Sequence, residues 1–175
     1  MKKINLFALI FTSLLLFVNC TEAAKNKEAD SDAVAEKNIY IQLYSVRDDI
    51  KADFKTTIAQ VAEQGYTGIE AANYADGKFY GLSPEEFKGE LEVVGLEVLS
   101  SHIGKRLADN IADTNWDEVW QWWDVAIDAH KKAGMKYIVM PSMPTPETLE
   151  GLKQYCDYYN QIGEKCNDAG LKFGY

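Results

Sequence analysis

One junction, written four times, limits what this chain can fold into. A Gly is followed by an apolar residue, a polar residue and an apolar run in Gly65-Tyr66-Thr67-Gly68-Ile69 and in Gly95-Leu96-Glu97-Val98-Leu99. The same order returns in Gly134-Met135-Lys136-Tyr137-Ile138 and Gly170-Leu171-Lys172-Phe173, at intervals of 30, 39 and 36 residues. A Gly that closes a helical segment is the expected C′ residue, because only Gly enters the left-handed region without steric cost. Strands that recur at this spacing with helices between them make βα units and a parallel sheet.

The segments between the junctions carry helical signals. The span from Asp53 to Gln64 places Phe54, Ile58, Val61 and Ala62 at helical spacing. Ser83-Pro84-Glu85-Glu86 is a capping box with Pro at the first helical position, followed by Phe87, Leu91 and Val94. Asn115 caps a third helix with the stripe Trp116, Val119, Trp120, Trp123 and Ile127. Thr145-Pro146 is expected to open a fourth, with the stripe Leu149, Leu152, Cys156, Tyr159 and Cys166. The strands are then expected at 39–46, 68–72, 97–102, 137–141 and 171–175, with no hairpin among them. Two architectures suit this alternation: an open doubly wound sheet, although no Gly-rich phosphate turn follows a strand, and a (β/α)8 barrel of ~250 residues.

The N-terminus is not part of that pattern. Met1-Lys2-Lys3 leads into a mostly apolar run over 4–18, the length of a signal-peptide core rather than of a spanning helix. Residues 1–19 therefore read as a signal peptide. Cys20 stands where a bacterial lipoprotein carries its lipidated cysteine, although Phe17-Val18-Asn19 is a loose match to the usual box. Residues 20–38 read as a polar tether, since they hold no aromatic residue and too little apolar surface to offset chain entropy. The expected location is the bacterial cell envelope, lipid-anchored, with plain secretion as the alternative. Net charge is -9; residues 1–19 hold two lysines and no acid, so the remainder stands at 27 acids against 16 bases, or -11. Such a surface repels phosphate backbones, and nucleic acid is not an expected partner. At 47% hydrophobic and 26% charged residues with three cysteines, neither a disordered chain nor a disulfide-stapled mini-protein fits.

Polar residues gather where the expected strands end, the face on which parallel α/β folds bind ligands. Gln42, Tyr44, Ser45 and Arg47 end the first strand, Glu70 and Asn73 the second, Ser100, Ser101 and His102 the third, and Ser142 follows the fourth. Glu70 lies in an apolar run, where a carboxylate is costly unless paired or bound. It is either a site residue or the partner of Arg47 in a salt bridge. His102 could be a metal ligand, an acid/base, a hydrogen-bond donor to substrate, or a structural histidine. His130, near a helix C-terminus, reads as structural, partly charged and favoured by the helix dipole. Cys156 and Cys166 are ten residues apart on one helix, too far to bridge, and read as small core residues. No metal-spaced Cys/His cluster is present. Trp122 points away from the core stripe and could reach a partner surface.

Ile41-Gln42-Leu43-Tyr44-Ser45-Val46-Arg47-Asp48, Gly65-Tyr66-Thr67-Gly68-Ile69-Glu70, Ser100-Ser101-His102-Ile103, and Gly163-Glu164-Lys165-Cys166 leading to Gly170-Leu171-Lys172-Phe173-Gly174-Tyr175 carry a resemblance. Together they are similar to sugar phosphate isomerase/epimerase proteins of the xylose-isomerase-like TIM-barrel superfamily, often lipid-anchored or secreted. The resemblance favours the barrel. The 137 residues over 39–175 are a little over half of such a barrel. It implies the N-terminal part of one, with about five parallel strands and four helices.

The resemblance also implies a divalent ion (Mn, Mg, Zn or Co) and α-proton transfer on a sugar through an enediolate. Glu70, His102, Gln42 and Arg47 match positions expected to bind substrate, and His102 alone is a candidate metal ligand. The main catalytic residues would follow Tyr175, where relatives continue with a His-Asn-His stretch. By that reading the chain is an incomplete and inactive fragment. A non-catalytic carbohydrate-binding envelope lipoprotein with a degenerate barrel is the alternative. The apurinic endonuclease branch of the superfamily is disfavoured by charge and the signal peptide.

Overall fold

The computed structural model describes residues 37–175. The signal peptide, Cys20 and nearly all of the tether lie outside the described residues. Five parallel strands form one sheet: β1 (Tyr40–Gln42), β2 (Gly68–Ala71), β5 (Glu97–His102), β6 (Tyr137–Val139) and β7 (Lys172–Gly174), in that spatial order. Because the order follows the chain without reversal, there is no switch point of the doubly wound kind. Right-handed crossovers then place successive helices on one side of the sheet, as in a barrel wall. The sheet is open, and among the described residues β1 and β7 each pair with one neighbour. This is the partial barrel that the sequence predicts.

Five α-helices are described: α1 (Arg47–Ala52), α2 (Phe54–Glu63), α3 (Pro84–Val93), α4 (Trp116–Lys132) and α5 (Leu149–Asp168). Two begin with the caps the sequence predicts, and α2 begins one residue after Asp53, which is its cap and not its first residue. Asp53 accepts from the Thr56 amide. Ser83 and Glu86 close a reciprocal capping box, and Asn115 accepts from Glu118. Two buried clusters lie behind the sheet. One packs Ile58 and Val61 of α2 and Phe87 and Leu91 of α3 against Ile69, Ala71 and Val98. The other packs Val119, Trp123 and Ile127 of α4 and Tyr158, Ile162 and Cys166 of α5 against Ile138 and Leu171. In that second cluster the Trp123 indole donates to the Tyr158 hydroxyl at 2.6 Å.

Several expectations are corrected. The first strand stops at Gln42, because a 3-10 turn over Leu43–Val46 hands the chain to α1, a fifth helix that buries Ile50. Helix α5 starts later than Thr145-Pro146, with Thr148 as its N-cap. Its inward line is Tyr158, Ile162 and Cys166. Leu149 and Cys156 fall on the other side of the 3.6-residue period, and both are exposed, as is Leu152. A hairpin does occur: β3 (Tyr74–Ala75) pairs antiparallel with β4 (Lys78–Phe79). Asp76 and Gly77 at its tip take φ of 50° and 77°, the left-handed pair that an Asp-Gly turn supplies.

The hairpin explains two further departures. Trp122 does not reach outward: it meets Tyr74 edge-on at 5.7 Å. His130 is fully buried, with Phe79 at 4.9 Å and Tyr74 at 5.3 Å between ring centroids. It is structural as expected, but burial lowers its pKa to about 4, so the ring is neutral instead of partly charged.

At the N-terminal end of the sheet the Tyr40 ring lies over Gly68 and its hydroxyl donates to Glu97. Lys136 approaches the other Glu97 oxygen at 3.8 Å. Tyr40, Gly68 and Glu97 therefore share the sheet face opposite the helices. That face is open, and Tyr137 on it is 44% exposed.

Candidate functional site

Side chains alternate along a strand, so Gln42, two residues after Tyr40, and Glu70, two after Gly68, continue the open face. Reaching Ser100 on that face needs something more, since Ser100 is three residues from Glu97 and alternation alone would turn it away. The pairing of β2 with β5 supplies the correction. Ile69 pairs with Val98 but Glu70 pairs with Ser100, leaving Leu99 as the extra residue of a bulge. Beyond it, Ser100 and His102 both join Glu70.

Four side chains meet there. The Gln42 amide Nε2 donates to Glu70 Oε1 at 2.5 Å and lies 3.0 Å from His102 Nδ1. The Ser100 hydroxyl donates to Glu70 Oε2 at 2.6 Å. His102 Nδ1 stands 3.9 Å from Glu70 Oε1, and both side chains remain about one-fifth exposed, at 19% and 22%. A carboxylate with a donor on each oxygen is fixed in position, and the imidazole beside it can still meet a ligand. Such a pair can take up and release protons on neighbouring atoms of a bound molecule.

Of the four residues predicted for substrate, Gln42, Glu70 and His102 come together, whereas Arg47 does not. The 3-10 turn carries Arg47 onto α1, where its guanidinium sits 4.7 Å over the Tyr44 ring and donates to the Tyr44 carbonyl. Its nearby carboxylate is Asp48, so the alternative salt bridge with Glu70 is not formed. Arg47 lines a cavity of about 470 Å³ with Tyr44, Asn73 and Tyr80. The Tyr44 ring, 6.1 Å from that of His102, connects this cavity to the polar cluster. A second cavity of about 560 Å³ lies past the ends of β5 and β6, lined by Lys105, Arg106, Ser142, Tyr155 and Tyr159.

The role of Ser100 was hidden in the sequence, where it is one of two adjacent serines. Ser101 is buried, and among the described residues its hydroxyl has no partner. Only the bulge decides which of the two faces Glu70.

A divalent ion does not fit these residues by themselves. Among the described residues no three His, Cys, Asp or Glu side chains converge to hold one. Glu70 and His102 offer two ligating side chains, fewer than a metal site uses.

The fold recurs in solved structures. The chain is similar to a sugar phosphate isomerase/epimerase from Parabacteroides distasonis, with 29% identity and a TM-score of 0.73 over 85% of this chain and 54% of that one. It also shares its fold with the IOLI protein solved with a bound zinc atom, at 13% identity and a TM-score of 0.57, covering 78% of this chain and 50% of that one. D-psicose 3-epimerase, solved in the presence of D-fructose, matches at 16% identity and 0.54, over 78% of this chain and 51% of the enzyme. The chain thus spans about half the length of these proteins. No family model matches the chain, and no curated protein does. The resemblance to sugar phosphate isomerase/epimerase proteins, and the partial barrel it implies, are borne out by these structures.

Proposed function

We propose that this chain forms part of an isomerase or epimerase that moves a proton on the carbon beside a sugar carbonyl. The observation that carries this reading is the Glu70–His102 pair, 3.9 Å apart on the open sheet face. It stands in a fold similar to that of a sugar phosphate isomerase/epimerase. In the proposed step a Glu70 oxygen takes the proton from the α-carbon. The C–H electron pair becomes the new C=C bond, and the carbonyl oxygen, gaining the π pair, takes a proton from His102. Return of the Glu70 proton to the former carbonyl carbon, with His102 recovering a proton from the hydroxyl on the deprotonated carbon, gives an isomer. An epimer takes its proton on the original carbon from the opposite face, from an acid other than Glu70. Ser100 and Gln42 hold the carboxylate while this happens. Arg47 and Tyr44 line the cavity into which the rest of the sugar would extend. No step is assigned to a metal ion.

The protein is further proposed to work at the bacterial envelope, lipidated on Cys20.

Exchange of α-protons for deuterium tests the chemistry. Aldoses, ketoses and their phosphates are incubated with the protein in deuterated buffer and followed by proton NMR. Loss of one C–H signal, slowed at least a hundredfold by Glu70→Gln, supports the proposal. Sugar binding with no exchange on any of them would instead indicate the carbohydrate-binding lipoprotein. Equal exchange by wild type and Glu70→Gln would remove Glu70 from the role.

A further inference from the structure

The geometry points to Gln42 as the positioning residue that fixes His102 as the Nε2–H tautomer, making that imidazole a donor toward substrate and not a lone-pair ligand. The argument starts at Glu70. One Gln42 amide atom lies 2.5 Å from Glu70 Oε1. Were that atom the amide oxygen, two acceptors would face each other at hydrogen-bond distance with no proton between them. The carboxylate therefore selects the NH2 end of the amide. An NH2 group has two protons, and the second is directed at His102 Nδ1, 3.0 Å away. Nδ1 must accept it, so in the neutral ring the proton resides on Nε2. Ser100, holding the other Glu70 oxygen, keeps the carboxylate from turning away.

Two consequences follow for the proposed reaction, on which this inference builds. His102 meets the carbonyl oxygen with an N–H, so it is the acid of the pair and Glu70 the base. A nitrogen that carries the proton has no lone pair for a cation, so His102 does not ligate a metal through Nε2 in this arrangement. That agrees with the misfit between these residues and a divalent ion. The requirement for Gln at this place is also sharp. Leu offers no donor, and a Glu would share its one proton with Glu70 and leave none for Nδ1.

The chain supplies its own control. It contains two histidines, and the second is held in the opposite way: His130 Nδ1 lies 2.6 Å from the Ala126 carbonyl, which can only accept. His130 is therefore the Nδ1–H tautomer, with Nε2 buried and bare.

The test is a long-range 15N–1H correlation spectrum of the full chain labelled in histidine nitrogens, assigned by the loss of one pattern in His102→Asn. In the wild type at neutral pH, His102 is expected to show the Nε2–H pattern and His130 the Nδ1–H pattern. In Gln42→Leu the neighbour of Nδ1 becomes the Glu70 carboxylate, so His102 is expected to lose the Nε2–H pattern and gain a proton on Nδ1, while His130 does not move. Gln42→Glu, nearly the same shape, is expected to give the same shift and decides the matter if the Leu variant disturbs the His130 signal. A wild-type His102 with the proton on Nδ1, or a His102 pattern unchanged in Gln42→Glu, would overturn the assignment. The spectrum needs no turnover. Absence of α-proton exchange with the expected tautomers therefore sinks the proposed reaction alone, and the reverse result sinks only the role of Gln42.

Discussion

Gly68 is where the packing of this sheet is least able to absorb a change. A Cβ built there would stand 2.5 Å from Tyr40 Cε1, 2.7 Å from Tyr40 Cδ1 and 2.6 Å from the Glu97 carbonyl oxygen. Ordinary carbon contacts lie at about 3.5–4.0 Å, so each overlap approaches 1 Å. The Tyr40 ring can swing aside at the expense of its bond to Glu97. The Glu97 carbonyl belongs to the adjoining strand and moves only if β2 and β5 separate. Overpacking ordinarily costs about 1–3 kcal/mol, and a clash with backbone belongs at the upper end, about 3 kcal/mol. With a urea dependence of about 2 kcal/mol per molar, Gly68→Ala should lower the unfolding midpoint by about 1.5 M. The assay is urea denaturation followed by tryptophan fluorescence. Repeating it in a Tyr40→Ala background removes the ring contacts but keeps the carbonyl. The Gly68→Ala penalty should then shrink without vanishing. A Gly68→Ala protein that unfolds at the wild-type midpoint would refute the reasoning.

Two further outcomes are expected. His130, neutral in the fold down to about pH 4 against an ordinary value of 6.5, refuses a proton that the unfolded chain accepts. Stability should fall by up to about 1.4 kcal/mol per pH unit as pH drops from 6.5 toward 4, with no contribution above that window. Urea melts of His130→Leu should show a shallower decline across it, and an identical slope would count against a buried neutral ring. For the N-terminus, cells expressing the full chain with labelled palmitate should incorporate label into wild type and lose it in Cys20→Ser. Equal labelling of both would exclude lipidation at that cysteine.

What was legible in the sequence was whatever depends on near neighbours. The helix caps at Ser83 and Asn115 each need only a side chain and an amide three residues on, and both form. Glu70, His102 and Gln42 were legible as a group because the C-terminal ends of parallel strands converge. Arg47 was misplaced because the chain leaves the extended state at Leu43, and an apolar run does not say where a strand gives way to a turn. The hairpin was missed: Asp76-Gly77 is its turn, but its strands are two residues long and carry no period. Ser100, which holds the second Glu70 oxygen, reaches it only through a register shift between β2 and β5. No local pattern encodes that.

The bulge at Leu99 makes β5 a strand with two reading frames. Upstream of it the inward set is counted from Glu97, downstream from Ser100, and the two counts do not agree. Transplanting this strand, or aligning it to another by alternation alone, would bring Leu99 and Ser101 to the open face. The serine that holds Glu70 would then lie beneath the helices. The same break gives the sheet a useful independence. The lower frame, with Tyr40 and Gly68, can be optimised for strength while the upper frame is altered for chemistry, because neither sets the orientation of the other.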